Sequence, residues 1–263
     1  MYRLQTALPI YAKRSEIIEK IRENPVLLLR GETGSGKSTQ IPQYLLEIPE
    51  FQKTIACVQP RKLSTITLAE RVAYELSVDI PQFVDYQVNM SKPANSQARI
   101  KFMLDSVLIN EMFSDPTLSK YSCILVDEAH ERNINTDLLL GLLKKIRSQS
   151  PDLHIIVTSA TIDEKLFCDF FGSKMLKVPG RVFPVKIKYL PPNNGQTELD
   201  MIADLLCKKV AKIKAKNESR FNGNILVFTA GIDEIETLTR QISNQCSSEY
   251  EILPLHGRLG HKD

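Results

Sequence analysis

The sequence predicts an α/β fold, a parallel sheet flanked by helices, and three observations carry that expectation. Short apolar runs alternate with helical patterns along the first two-thirds of the chain, as β–α–β units require. One run, Val26-Leu27-Leu28-Leu29, leads into Gly31-Glu32-Thr33-Gly34-Ser35-Gly36-Lys37-Ser38-Thr39, which fits the pattern G-x-x-x-x-G-K-[S/T]. Another, Cys123-Ile124-Leu125-Val126, ends in Asp127-Glu128-Ala129-His130. Both segments follow a strand, and doubly wound sheets bind ligands at the carboxyl ends of their strands.

Strands are expected at Val26–Arg30, Thr54–Gln59, Val84–Val88, Arg99–Leu104, Cys123–Asp127, His154–Ser159 and Met175–Val178. A helix should start at Lys37. Pro42 falls inside it and predicts a kink or an early break, because proline removes a backbone hydrogen bond and clashes with the preceding turn. Leu63–Leu76 places Ile66, Ala69, Val72, Ala73 and Leu76 on one helical face. Leu138–Ile146 is a second helix, with Lys144, Lys145 and Arg147 suiting the negative end of its dipole. A domain boundary is expected near Pro179–Gly180, separating residues 1–179 from 180–263. Val182–Leu190 opens the second unit, and Pro191-Pro192-Asn193-Asn194-Gly195 links it to a helix with Leu199, Ile202, Leu206, Val210 and Ile213 on one stripe. That stripe reads as core packing, and Lys208, Lys209, Lys212, Lys214 and Lys216 as a solvated face. Asn217–Asn224 reads as a polar loop and Asn224–Thr229 as a strand.

Composition bounds the function only loosely. With 263 residues, 43% hydrophobic and 25% charged, the chain has material for one large or two small globular domains. A net charge of +3 permits nucleic-acid binding without arguing for it. No run approaches the ~18 apolar residues of a membrane span, and the first six residues lack an apolar secretory core. Cys57, Cys123, Cys168, Cys207 and Cys246 show no C-x-x-C spacing, so they read as reduced thiols of a nuclear or cytoplasmic protein. No paired-ligand spacing supports zinc on His130, His154, His256 or His261.

The glycine-rich pattern arises by accident in about 1% of chains of this length. Paired with Asp-Glu-Ala-His it identifies a nucleoside-triphosphate site. Glycines let the backbone approach phosphate, and the amides at the following helix N-terminus bind its oxygens. Lys37 supplies a positive charge to the β- and γ-phosphates, and the Ser38 hydroxyl is the expected Mg²⁺ ligand. Asp127 would hold that Mg²⁺ through water. Glu128, beside the same ion, would orient and deprotonate the attacking water.

Ser159-Ala160-Thr161 and Gln59-Pro60-Arg61-Lys62 end two further runs. The order of all four motifs resembles the DEAH-box helicases of superfamily 2. The flanks carry the likeness onward: Leu8-Pro9-Ile10-Tyr11, Gln40-Ile41-Pro42-Gln43-Tyr44-Leu45, Glu131-Arg132-Asn133, Asn135-Thr136-Asp137-Leu138-Leu139, Val178-Pro179-Gly180-Arg181 and Ile225-Leu226-Val227-Phe228. The resemblance implies a RecA-like first domain and part of a second, with ATP or another NTP and Mg²⁺ as cofactors and RNA as partner. It adds His130 to the catalytic set, makes Ser159 and Thr161 coupling residues, and stacks the base between Arg71 and Phe228. RNA would run across both domains through its backbone, with Arg61, Lys62 and Asp105 the local candidates. A protein activator fits the same picture; a membrane does not.

Two departures shape the expected activity. The sequence ends at Leu255-His256-Gly257-Arg258-Leu259-Gly260-His261-Lys262-Asp263, partway through the family's second domain and before its arginine-finger motif. Such a finger contributes roughly 10³–10⁵ in rate in related enzymes, so the chain is expected to bind nucleotide better than it hydrolyses it and not to unwind duplex RNA. Met103-Leu104-Asp105-Ser106 stands where the family has Thr-Asp-Gly, which puts that RNA contact in question. The reading is an RNA-dependent NTPase of the DEAH-box type. The alternative is a catalytically weak, nucleotide-gated RNA-binding module or scaffold.

Overall fold

Apolar runs flanked by glycine and polar turns become strands buried on both faces, which suits a wholly parallel sheet. In the computed structural model, which describes residues 6–90, 95, 97–180, 184–215, 224–245 and 251–256, they are β1 (Val26–Gly31), β2 (Thr54–Gln59), β3 (Val84–Gln87), β4 (Ile100–Leu104), β5 (Tyr121–Val126), β6 (His154–Ser159) and β7 (Met175–Val178). All lie within two residues of the spans expected from sequence. They form one sheet in the order β3-β4-β2-β5-β6-β1-β7, every pair parallel. The phosphate-loop strand β1 and the acidic strand β5 therefore flank β6, and β2 lies beyond β5. The four motifs emerge side by side at one edge.

Successive residues of a strand face opposite ways, and the two faces are covered by different helices. Leu27, Leu29, Ile55, Cys57, Cys123 and Leu125 pack under α1 (Arg14–Glu23), α2 (Lys37–Leu45) and α3 (Lys62–Leu76). Leu28, Ala56, Val58, Ile124, Val126 and Val157 pack under α4 (Asp105–Ser114), α5 (Ile134–Arg147) and α6 (Glu164–Phe171). Cys57 and Cys123 are fully buried, and burial pushes both thiols up, which keeps them protonated.

Pro42 does not break its helix. α2 continues through it to Leu45, with Pro42 itself buried. The proline falls one turn after the start, and the Gln43 amide donates to Thr39 O at 2.9 Å, adding a side-chain bond to the turn that holds it.

The chain divides into two compact units, Met1–Phe183 and Pro184–Asp263. In the second, α7 (Glu198–Ala215) and α8 (Ile232–Gln245) pack together, and Gln241 Nε2 donates to Asp200 Oδ1 at 2.9 Å. Leu199, Ile202 and Leu206 are half-buried and Lys208 and Lys209 exposed. The strand expected at Asn224–Thr229 is absent: the segment lies outside any ladder, with Leu226 and Phe228 exposed. A strand needs a neighbour to take its backbone hydrogen bonds, and the described residues of this unit contain none. Residues 184–190 are likewise outside any element. The polar loop expected at Asn217–Asn224 and the terminal stretch 257–263 lie outside the described residues, apart from Asn224. No helix among the described residues is long and apolar enough to cross a membrane.

Candidate nucleotide site at the carboxyl edge of the sheet

The loop after β1 turns sharply because two glycines take left-handed backbone angles, Gly34 at φ 77° and Gly36 at φ 97°. At Gly36 space is short as well, since an added Cβ would come within 3.0 Å of both Ile10 and Leu8. Those two residues belong to the Leu8-Pro9-Ile10-Tyr11 flank, which acts as the loop's back wall. Ile10 is fully buried, and its amide donates to Ser35 O at 3.1 Å. Lys37, the first residue of α2, is 5% exposed and donates to Gly31 O and, at 2.9 Å, to Glu32 O. Burial lowers its pKa, and the nearby charges of Asp127, Glu128 and Glu32 oppose that shift. An ammonium held by two neutral carbonyls at a helix N-terminus can exchange them for an anionic ligand.

Asp127 follows β5 and is gripped from both neighbouring strands. Gln59, ending β2, donates to Oδ2 at 2.9 Å, and Thr158 of β6 donates to Oδ1, which also accepts the Glu128 amide at 2.9 Å. A carboxylate offers about four acceptor positions, so Oδ2 keeps one for a further donor. That set fits a hydrated Mg²⁺ held through one of its waters, with Ser38 lining the same cleft.

Glu128 sits at φ 54°, a strained conformation for a residue with a side chain. It starts the short 3₁₀ turn Ala129–Glu131 and is turned into the cleft, which it lines. Burial first, then the charge of Asp127, raises its pKa. His130 Nε2 lies 3.4 Å from Glu128 Oε2, while His130 Nδ1 accepts from the Ala160 amide at 3.4 Å. With Nδ1 accepting, the proton of a neutral ring resides on Nε2 and points to Glu128. His130 thus joins the base to the Ser159-Ala160-Thr161 segment. Ser159 Oγ is buried without a hydrogen-bond partner among the described residues, and Thr161 is exposed.

A cleft of about 340 Å³ runs between α2 and α3, lined by Thr33, Gly34, Lys37, Ser38, Arg71 and Glu128 among others. Glu32 and Thr33 are exposed, whereas Ser35 is fully buried. Thr39 Oγ1 donates back to Gly36 O at 3.3 Å. Arg71 stands at the other end, half exposed, bonded through Nε to Glu75 at 2.6 Å. Phe228 belongs to the second unit and is 85% exposed.

The nucleic-acid candidates divide. Lys62 is exposed at the first turn of α3. Arg61 is 70% exposed but pairs with Glu131 at 3.0 Å, the residue after Asp-Glu-Ala-His. Asp105 is turned into the protein rather than standing on the surface. It is 4% exposed, accepts from Thr136 at 3.0 Å and from the Ser106 amide at 2.7 Å, and so ties α4 to α5. A short acid that starts a helix is drawn to its free amides, which took this side chain inward. Gln59, Thr158 and Ile10 had no assigned role in the sequence. The signal for the first two is their position at the ends of strands flanking β5, which needs the strand order to be seen.

The placing of Lys37 and Glu128 in one cleft, with the buried Asp127 beside them at the carboxyl edge of a parallel sheet, agrees with comparisons to known proteins. Residues 11–167 match the family described as DEAD/DEAH box helicase. Two crystal structures from Escherichia coli are similar: the DEAH/RHA helicase HrpB, 29% identical with a TM-score of 0.81 over 92% of this chain and 30% of that one, and the DExH-box NTPase HrpB, 29% identical with a TM-score of 0.76 over 97% and 31%. The chain thus spans just under a third of the proteins it resembles. Motif order, site geometry and family match agree, and the chain belongs to the DEAD/DEAH box helicases.

Proposed function

We propose that the chain is the nucleotide-binding part of an ATP-dependent RNA helicase. The observation that carries this is the meeting of Lys37 with Asp127 and Glu128 one strand away from Gln59-Pro60-Arg61-Lys62. Lys37 would exchange its bonds to Gly31 O and Glu32 O for β- and γ-phosphate oxygens. Ser38, and Asp127 through a water, would hold Mg²⁺, which would neutralise the phosphate charge. Glu128 takes a proton from the water that attacks the γ-phosphorus; the bond to the β–γ bridging oxygen breaks, and ADP leaves with its electron pair. His130, bonded to Glu128 and to the Ala160 amide, would transmit the change to the β6 end.

RNA would enter over the carboxyl end of β2, where backbone phosphates compete with Glu131 for Arg61 and add Lys62. Binding of homopolymeric RNA should then be insensitive to sequence and fall steeply with salt, since each phosphate contact releases counterions. Replacing both Arg61 and Lys62 by Ala should flatten the plot of log K against log salt by up to about two units. A fluorescence-anisotropy titration at several salt concentrations measures this. An unchanged slope would place the RNA path elsewhere. A parallel titration with DNA of the same length decides whether the preference is for RNA.

A further inference from the structure

Among the described residues, Glu75 on α3 is the buried carboxylate that joins the two ends of the cleft. Its side chain is 3% exposed, and three donors from two helices converge on it. Arg71 Nε donates to Oε1 at 2.6 Å, while Gln40 and Gln43, both on α2, donate to Oε2 at 2.8 and 2.7 Å. Gln40 is itself 2% exposed and also contacts Thr39 Oγ1 at 3.1 Å, which in turn donates to the Gly36 carbonyl of the phosphate loop. A continuous path of side chains therefore runs from Arg71 to the loop.

We propose that Glu75 is a positioning residue for nucleotide binding, which locks Arg71 to the phosphate-loop helix so that the base end and the phosphate end of the cleft keep a fixed separation. This rests on the nucleotide reading above and deepens it. The carboxylate suits the task. Burial alone would raise its pKa, yet the bonds from Arg71, Gln43 and Gln40 and the Arg71 charge outweigh burial and lower it, which keeps an ionised acceptor for three donors. Glu75 grips Arg71 through Nε, which leaves the two terminal nitrogens outside that bond, and Arg71 lines the cleft. Without Glu75, a half-exposed arginine regains its rotamer freedom, and binding must then include the cost of ordering it.

The test compares Mg-ATP with Mg-tripolyphosphate, a probe that has phosphates and no base, by titration calorimetry on the full chain. Glu75→Met, similar in volume and without an acceptor, and Arg71→Ala should each weaken ATP about threefold to tenfold and leave tripolyphosphate within about twofold. The double variant should be no worse than either single one, because the two residues act as a unit. Additive losses, or equal losses for both probes, would overturn the proposal and make Glu75 a support of the fold only. Thermal melts identify a Glu75→Met chain that fails to fold. In that case Arg71→Lys decides, since one ammonium cannot both pair with Glu75 and reach the cleft; wild-type ATP affinity there would refute the proposal. If the wild-type chain binds neither probe, the nucleotide reading itself has failed, and Glu75 falls with it.

Discussion

Lys37→Ala should weaken Mg-ATP binding at least about 100-fold, some 2.7 kcal/mol. The ammonium is 5% exposed, and burying it is unfavourable by itself, as its lowered pKa shows. Charge-assisted bonds to phosphate are stronger than its bonds to the neutral carbonyls of Gly31 and Glu32. No neighbouring cation can take its place: among the described residues lining the cleft, Arg71 is the other positive side chain, and Glu75 holds it at the opposite end. The fold should tolerate the change, because Gly34, Gly36 and the Ile10–Ser35 bond still shape the loop when the lysine's bonds to Gly31 O and Glu32 O are lost. Calorimetry with Mg-ATP, run beside a thermal melt, measures both halves of this expectation. Equal affinity in a folded variant would remove Lys37 from the phosphate site.

That Lys37, Asp127 and Glu128 were legible from sequence follows from how local their signals are. Each lies just past the end of an apolar run, and the glycine spacing around Lys37 is dictated by backbone angles within a few residues. The seven strands were legible for the same reason: a buried parallel strand is an unbroken apolar run bounded by turn residues. What sequence could not convey was which strand neighbours which. The order β3-β4-β2-β5-β6-β1-β7 brings Gln59 to Asp127 across 68 residues, and Arg61 to Glu131 across 70. Nor could a helical stripe reveal that Glu75, on the edge of α3's apolar face, meets the amides of Gln40 and Gln43. Periodicity assigns a residue to a face and says nothing of the polar atom opposite it. Asp105 shows the same limit: its motif made it a candidate RNA contact, already put in question by Leu104 and Ser106, but could not convey that Thr136 and the Ser106 amide turn it inward. The run Ile225-Leu226-Val227-Phe228 has the composition of a strand but no ladder to join.

Glu128→Gln should leave Mg-ATP binding within about twofold and cut hydrolysis roughly 10²–10⁴-fold, the range for loss of a positioned general base. The amide keeps the shape of the carboxylate and its reach toward His130 Nε2, 3.4 Å away, but it cannot accept a proton from water. In the nucleotide-free chain burial, and then the charge of Asp127, raises the pKa of Glu128. Its active form is the carboxylate, so the rate falls once pH is low enough to protonate it, and the Mg²⁺ beside it would draw that pH down from the value in the nucleotide-free chain. Folding runs the opposite way. A carboxyl with a raised folded-state pKa adds stability below its unfolded value and loses that contribution as pH rises through the folded one. At neutral pH the ionised Glu128 therefore adds nothing to stability, and the glutamine variant should melt no lower than wild type. Single-turnover hydrolysis with saturating RNA, followed from pH 5 to 8 in both proteins, separates these effects. Wild-type turnover in the variant would take the base away from Glu128, and a lower melting temperature at neutral pH would mean that its strained backbone and half-buried charge support the fold after all.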